Sequence, residues 1–388
     1  MRGRPAAGVL GLVLTASLWA LPVTAGAQTS TAVTLEASAA SIAYGAAVTF
    51  GGSVDPAAAA QAVRLLGADG AVIAETTTDA AGAFSVRIVP ETSLTVRASS
   101  GGAFSEAVTV RVHAVLSVRL GAVRLFDRAA VAGSVTPAPD GTSVTLTLVL
   151  SGHPVADREV GVRADGTFRT TLAVRQPGTY RVRAASSPPG LARGTDADGP
   201  RTTTLPSLRV GSRGPAVLAL ERRLVALHYR LVGIDRTYDA RTGDAVIAFR
   251  KVQGLARTTT VDATTWRRLA DPRIPEPRSK ARAFHIEVDQ TRQVLYTVED
   301  RVVTDVIHVS TGANGATHDG SFQVYRKLAG FSPNRLYYPS YFDGLRAIHG
   351  WTEVPTYPAS HGCVRVPYWD ARWIYGLAAI GTPVLIYH

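Results

Sequence analysis

Cysteine is almost missing: one residue, Cys363, stands in 388. A lone thiol cannot close a disulfide within its own chain, so a disulfide scaffold is excluded. Acidic side chains are in the minority, 30 against 41 Lys and Arg, for a formal charge of +11 to which Arg2 and Arg4 contribute two. Lysine is scarce, at 251, 280 and 327 only, and the preference for arginine reads as codon bias of a GC-rich genome. Beyond the first 25 residues no run is long and apolar enough to cross a bilayer. No base-reading or stacking signature accompanies the basic balance, so nucleic acid is excluded and acidic wall or surface polymers are the expected partners. With 46% hydrophobic and 18% charged residues the chain is globular, and it is too long for a single core.

Arg2 and Arg4 precede an apolar run from Val9 to Val23 and then Ala25-Gly26-Ala27, the pattern of a signal peptide spanning 1–27. The run falls short of the roughly 20 apolar residues of a spanning helix, so a secreted chain with no transmembrane segment after cleavage is expected. An uncleaved anchor is the alternative. No cysteine near the cleavage site could carry a lipid. A secreted chain that keeps one unpaired thiol suggests that its reactivity matters.

The expected fold is multidomain. Residues 28–113 and 114–204 read as two tandem immunoglobulin-like β-sandwiches, rich in Val, Thr, Ala and Gly with period-two runs such as Leu94-Thr95-Val96-Arg97. A repeat supports two copies: Gly52-Ser53-Val54 returns as Gly133-Ser134-Val135, and Gly82-Ala83-Phe84 as Gly166-Thr167-Phe168. Gly194 to Pro206, rich in Asp, Gly, Pro and Thr, reads as a linker. Residues 205–271 form a small helical domain, with Val217, Leu220, Leu224 and Leu227 on one helix face, Ala245 to Val252 on a second helix and Thr264 to Leu269 on a third. Twelve basic side chains against five acidic between Pro206 and Ala270 mark it as a polymer-binding surface. Residues 272–282, with three prolines, read as a semi-stiff spacer. Residues 283–388 are mostly strand, with one helix from about Pro367 to Leu377.

Cys363 lies in Ser360-His361-Gly362-Cys363-Val364-Arg365, and a second His-Gly pair, His349-Gly350, lies upstream. A thiol near its ordinary pKa is mostly protonated at neutral pH and needs a nearby imidazole or cation to become a nucleophile. His349 and His361 both qualify, and His361, two residues away, would share a face with Cys363 in an extended strand. Gly362 lets backbone N–H groups approach a substrate carbonyl as part of an oxyanion hole. Two other readings compete: a buried structural set, and a zinc site of Cys363, His349 and His361 with His318.

These residues resemble the signature of the L,D-transpeptidase catalytic-domain family. Val288-Asp289, Gln293, Ser310-Thr311-Gly312, Thr317-His318-Asp319-Gly320 and Gly381-Thr382-Pro383-Val384 extend the likeness, with His318 where that family usually has proline. Leu208 to Gly214, Val217 to Leu224, Phe249, Gly254-Leu255 and Trp266 resemble the three-helix peptidoglycan-binding domain family, with Glu221 and Arg250 where glutamine is common. The resemblance implies Cys363 as nucleophile, His349 as base oriented by the Gly350 carbonyl, His361 shaping the loop or assisting, and Gly362 and Cys363 N–H groups at the oxyanion. Arg365, Tyr338, Trp351 and Ser360 are the candidate substrate contacts, and the aromatic stretch between Lys327 and Gly344 is a candidate lid. The implied reaction cross-links peptidoglycan stem peptides, held on glycan, through a thioester, without metal or cofactor. The alternatives are an L,D-carboxypeptidase using the same thiol and an inactive wall-binding scaffold.

Overall fold

A computed structural model describes residues 30–388; the expected signal peptide, residues 1–27, lies outside them. The chain divides into two compact units at Val112/His113.

In the first unit a four-stranded and a six-stranded sheet form around Phe50, Val63, Leu65, Val96 and Val110. The second unit begins with a three-stranded sheet of Val115–Leu120, Arg128–Thr136 and Thr167–Ala173, and a four-stranded one ordered His153–Gly161, Ser143–Leu150, Thr179–Ser186, Gly194–Thr202. The sequence repeat has a physical basis here. Gly52 pairs across strands with Phe84, and Gly133 with Phe168. In each pair a glycine Cβ would meet the phenylalanine ring, at 2.7 and 2.4 Å, and closer still a backbone carbonyl oxygen, that of Thr34 at 2.1 Å and that of Ser117 at 2.0 Å, so only glycine fits.

Gly194–Thr202 corrects the expected linker, for it is an ordered strand paired with Thr179–Ser186. Its composition misleads because its carboxylates perform backbone work. Asp196 accepts the Val118 N–H at 2.7 Å and Asp198 the Leu120 N–H at 2.8 Å, which joins the two sheets without a regular ladder.

The helical domain comprises α1 (Pro215–Ala226), α2 (Ala240–Val252) and α3 (Ala263–Ala270). Asp239 caps α2 and Asp262 forms a capping box on α3. The family departures pin the turns. Buried Glu221 accepts the Asp235 and Arg236 N–H groups, and buried Arg250 donates to the Ala256 and Thr260 carbonyls. Arg250 and Lys251 therefore do not belong to a solvated basic face, contrary to the charge count.

In the C-terminal domain the strands are β1 (His285–Asp289), β2 (Val294–Glu299), β3 (Val302–His308), β4 (Gly320–Gln323), β5 (Arg326–Lys327), β6 (Tyr337–Asp343), β7 (Arg346–Trp351), β8 (Val364–Pro367) and β9 (Pro383–Tyr387), with α4 (Tyr368–Leu377) between β8 and β9. One sheet is ordered β3-β2-β1-β9-β4, the other β5-β6-β7-β8. Ile286, Val288, Leu295, Ile307, Val364 and Val366 fill the core with Ala371 and Ile374 of α4.

Residues 272–282 do not hold this domain apart. Gln253 exchanges two hydrogen bonds with the Arg273 backbone, and the fully buried Glu287 accepts the Arg278 and Ser279 N–H groups at 2.9 and 2.6 Å. The strap lies down because the domains it joins share a core: Val294, Tyr296, Val298, Val303 and Val306 pack with Leu220, Leu224, Phe249 and Val252. Tyr229 bridges Val306, which covers the β3 edge that would otherwise be open for pairing. Among the described residues no helix is long and apolar enough to cross a membrane.

Gly133→Ala should displace the Phe168 ring and cost about 1–3 kcal/mol. Denaturant unfolding of the full chain checks this, and an unchanged midpoint would show that the ring can move aside freely.

Candidate active site

β7 and β8 run parallel, with His349 opposite Arg365 and Ile348 opposite Val364. Cys363 immediately precedes β8, two residues before Arg365. Side chains alternate along a strand, so His349, Arg365 and Cys363 project to one face, with thiol and imidazole offset diagonally. Gly350 faces the other way. A Cβ there would meet Ala371 at 2.7 Å and Tyr368 at 2.9 Å, so glycine is what allows α4 to press against β7.

His349 is buried, and its Nδ1 lies 2.9 Å from the Gly350 carbonyl oxygen. A carbonyl only accepts, so Nδ1 carries the proton and Nε2 is the basic nitrogen. Burial, aided by the Arg365 guanidinium, pushes the imidazole down to about 4, against the pull of the Gly350 carbonyl. The Cys363 thiol is partly exposed and donates to the Leu345 carbonyl at 3.8 Å. Burial pushes it up, while the Ala347 N–H, Arg365 and Arg346 favour the thiolate. Thiol and imidazole therefore rest as a neutral pair.

The loop before Cys363 is locked by its own side chains. Ser360 Oγ donates to the Cys363 carbonyl at 2.6 Å and accepts the Gly362 N–H at 3.0 Å. Its hydroxyl is committed to loop shape, which departs from the expected substrate contact. The Gly362 N–H is thereby engaged as well, whereas among the described residues no acceptor takes the Cys363 N–H. Thr317 Oγ1 donates to the Gly362 carbonyl at 2.8 Å. Gly362 has φ +129°, and a Cβ would lie 2.8 Å from the Ala316 carbonyl oxygen and from Arg346 Nε.

That bend also corrects the expectation for His361. It breaks the extended spacing on which a shared face with Cys363 was argued, and His361 is exposed to solvent. Arg365 lies over the Trp351 ring at 5.3 Å, and the same ring meets His349 edge-on at 5.6 Å. Among the described residues no carboxylate forms an ion pair with Arg365. Tyr338 is not brought to the thiol. Its ring stacks on Tyr375 of α4, on the side Gly350 faces, and Tyr341 and Phe342 of the candidate lid are buried in packing.

Arg346 was not legible as a site residue. Its Nε donates to the Ala316 carbonyl at 2.7 Å, and Nη2 donates to His318 Nε2 at 2.9 Å. His318 therefore carries its proton on Nδ1, which donates to Asp343 at 3.0 Å. Only the tight approach of Gly362 singles out Arg346 from the other arginines.

A partly exposed thiol and a buried imidazole of fixed tautomer, held by adjacent parallel strands, are groups able to support acyl transfer through sulfur. Residues 283–386 match the family model described as L,D-transpeptidase catalytic domain, and residues 213–269 the one described as putative peptidoglycan binding domain. Residues 283–386 thus form an L,D-transpeptidase catalytic domain, preceded by a peptidoglycan-binding domain. The chain is similar to the solved structure of an L,D-transpeptidase (residues 123–326) from Xylanimonas cellulosilytica, with 36% identity over 49% of this chain and 100% of that one, at a TM-score of 0.45. An L,D-transpeptidase from Stackebrandtia nassauensis is 24% identical, covering 47% of this chain and 95% of that one, at a TM-score of 0.29. One from Mycobacterium tuberculosis is 12% identical, covering 71% and 98%, at 0.25. No curated protein matches the chain.

Because the imidazole stays neutral down to about pH 4, acylation of Cys363 should hold its rate from pH 7 to about pH 5 and fall only below that. A rate profile with its acid limb at about pH 6.5, the value of a solvated histidine, would contradict the buried environment. Gly362→Ala should slow the same reaction by about tenfold or more, the kinetic equivalent of 1–2 kcal/mol of backbone strain.

Proposed function

We propose that this chain is a secreted wall enzyme that cross-links peptidoglycan stem peptides by an L,D-transpeptidase reaction through a thioester on Cys363. The observation that supports the reading is the parallel pairing of β7 with β8, in which His349 lies opposite Arg365 and Cys363 directly precedes β8. His349 takes the thiol proton as sulfur attacks the carbonyl of the residue preceding the terminal D-alanine. A resting neutral pair means that this proton moves with the attack. The developing oxyanion is held by the Cys363 N–H, the donor the loop leaves unengaged. The His349 imidazolium returns the proton to the departing amine, and the acyl group remains on sulfur. An amine of a neighbouring stem then attacks the thioester and gives its proton to Nε2; the carbon–sulfur bond breaks as the new amide forms, and the imidazolium returns the proton to the departing sulfur. Arg365, braced on Trp351 and without an acidic partner, suits a carboxylate of the stem. The helical domain concentrates the enzyme on glycan, and the peptidoglycan-directed domains fit an extracytoplasmic location reached by way of the signal peptide.

Intact-mass analysis after incubation with a tetrapeptide donor should show an acyl adduct that is lost in Cys363→Ala and slowed at least a hundredfold in His349→Ala. With an acceptor stem present, cross-linked dimer should form. Free tripeptide as the sole product would replace transfer by hydrolysis, and a full-rate adduct in His349→Ala would remove the assigned base.

A further inference from the structure

Lys251, on the last turn of α2, is buried with its Nζ among neutral hydrogen-bonding groups. Its Nζ lies 2.7 Å from the Gln293 carbonyl oxygen, 2.9 Å from that of Val309 and 2.6 Å from His308 Nδ1. His308, equally buried, uses Nε2 on the Val354 carbonyl oxygen at 2.8 Å. The three carbonyls only accept, so all four contacts are satisfied only when the Lys251–His308 pair carries one positive charge. Burial opposes that charge and, with the nearby Arg257 guanidinium, pushes Lys251 down to about 6 against the pull of the Asp244 carboxylate. An apolar side chain would pack here without this cost.

The held carbonyls belong to the two stretches that run beside the Cys363 loop. Val309 adjoins Ser310, whose backbone pairs in both directions with Arg365 and whose Oγ donates to the Tyr357 carbonyl at 2.7 Å. Gln293 grips Thr311 through its side-chain amide, and the Thr311 carbonyl takes the Ala359 and Ser360 N–H groups. Val354 lies in the arch 352–359, which joins the strand of His349 to the loop of Cys363. Arg257, just past α2, reaches the same arch: it donates to the Thr356 carbonyl at 2.6 Å and to the Thr291 carbonyl at 2.8 Å.

We propose that Lys251 and Arg257 are positioning residues of the thiol site, through which the helical domain fixes the arch and hence the placement of the Cys363 thiol relative to the His349 imidazole. The proposal rests on Cys363 being the nucleophile but not on the identity of its substrate. Lys251 acts on both rails of the loop, through the Val309 carbonyl and, by way of His308, through Val354. Arg257 acts on the arch through the Thr356 carbonyl and ties it to the Thr291 carbonyl.

The test compares full-length wild type, Lys251→Met, Arg257→Ala and Arg257→Lys. Alkylation of the single thiol by iodoacetamide is followed by intact mass between pH 4.5 and 9.5, alongside thermal unfolding. Expected are alkylation at neutral pH slowed at least tenfold in Lys251→Met and at least threefold in Arg257→Ala, partial recovery in Arg257→Lys, and a pH profile that moves toward the simple rise of an unassisted thiol. A stabilising role alone would lower the unfolding temperature and leave that profile in place. Rates within twofold of wild type in the folded variants would overturn the proposal. Should Lys251→Met fail to fold, the half-buried Arg257 decides by the same criterion. A wild type that alkylates readily yet forms no adduct with a tetrapeptide donor would overturn the transpeptidase reading, while the variant ratios still judge the positioning claim.

Discussion

The parallel pairing of β7 with β8 is the constraint on which the site depends. It brings two segments of chain separated by the arch 352–359 into a fixed register, so that the residue opposite Arg365 is His349. On its far edge β8 is pinned again, by the two-way backbone pairing of Arg365 with Ser310. Gly350 completes the arrangement from behind, since its missing side chain lets α4 settle against β7. The backbone thus determines the relation of sulfur to imidazole before either side chain makes a contact of its own.

Electrostatics at the site follow from burial more than from pairing. Both groups resist ionisation for the same reason, a low-dielectric surround, and neither has an acidic neighbour in the hydrogen-bond network. The guanidinium groups nearby work in opposite directions on the two partners: Arg365 favours the thiolate and disfavours the imidazolium. Burial thus disfavours charge on both groups, and the imidazole is oriented by a backbone dipole, the Gly350 carbonyl, rather than by a carboxylate.

What could be read from sequence was whatever depends on residues close along the chain. The first helix of the helical domain shows in the spacing of Val217, Leu220 and Leu224, the strands of the last domain in their alternation, and the thiol in its His-Gly-Cys setting. The misreadings share one cause, partners distant in sequence. Gly194–Thr202 has a loop's composition, yet Asp196 and Asp198 take the N–H groups of Val118 and Leu120 and make it a strand. Residues 272–282 have a spacer's prolines, but Glu287 and Gln253 hold them down. His361 fails the even-spacing argument because Gly362 occupies a backbone region in which alternation does not apply. Ser360 carries a polar group in the right place, and only the geometry reveals that its hydroxyl is consumed by the loop.

β2 belongs to two cores at once: Leu295 points into the catalytic core, while Val294, Tyr296 and Val298 point into the one shared with the helices. A strand with no wet side cannot tolerate the loss of either neighbour. Stripped of its helices, the catalytic half would present a greasy, sticky wall and an open β3 border to its surroundings. The helical unit is therefore a wall of the catalytic half and not a detachable bead: doing without it would take polar residues in place of Val294, Tyr296 and Val298.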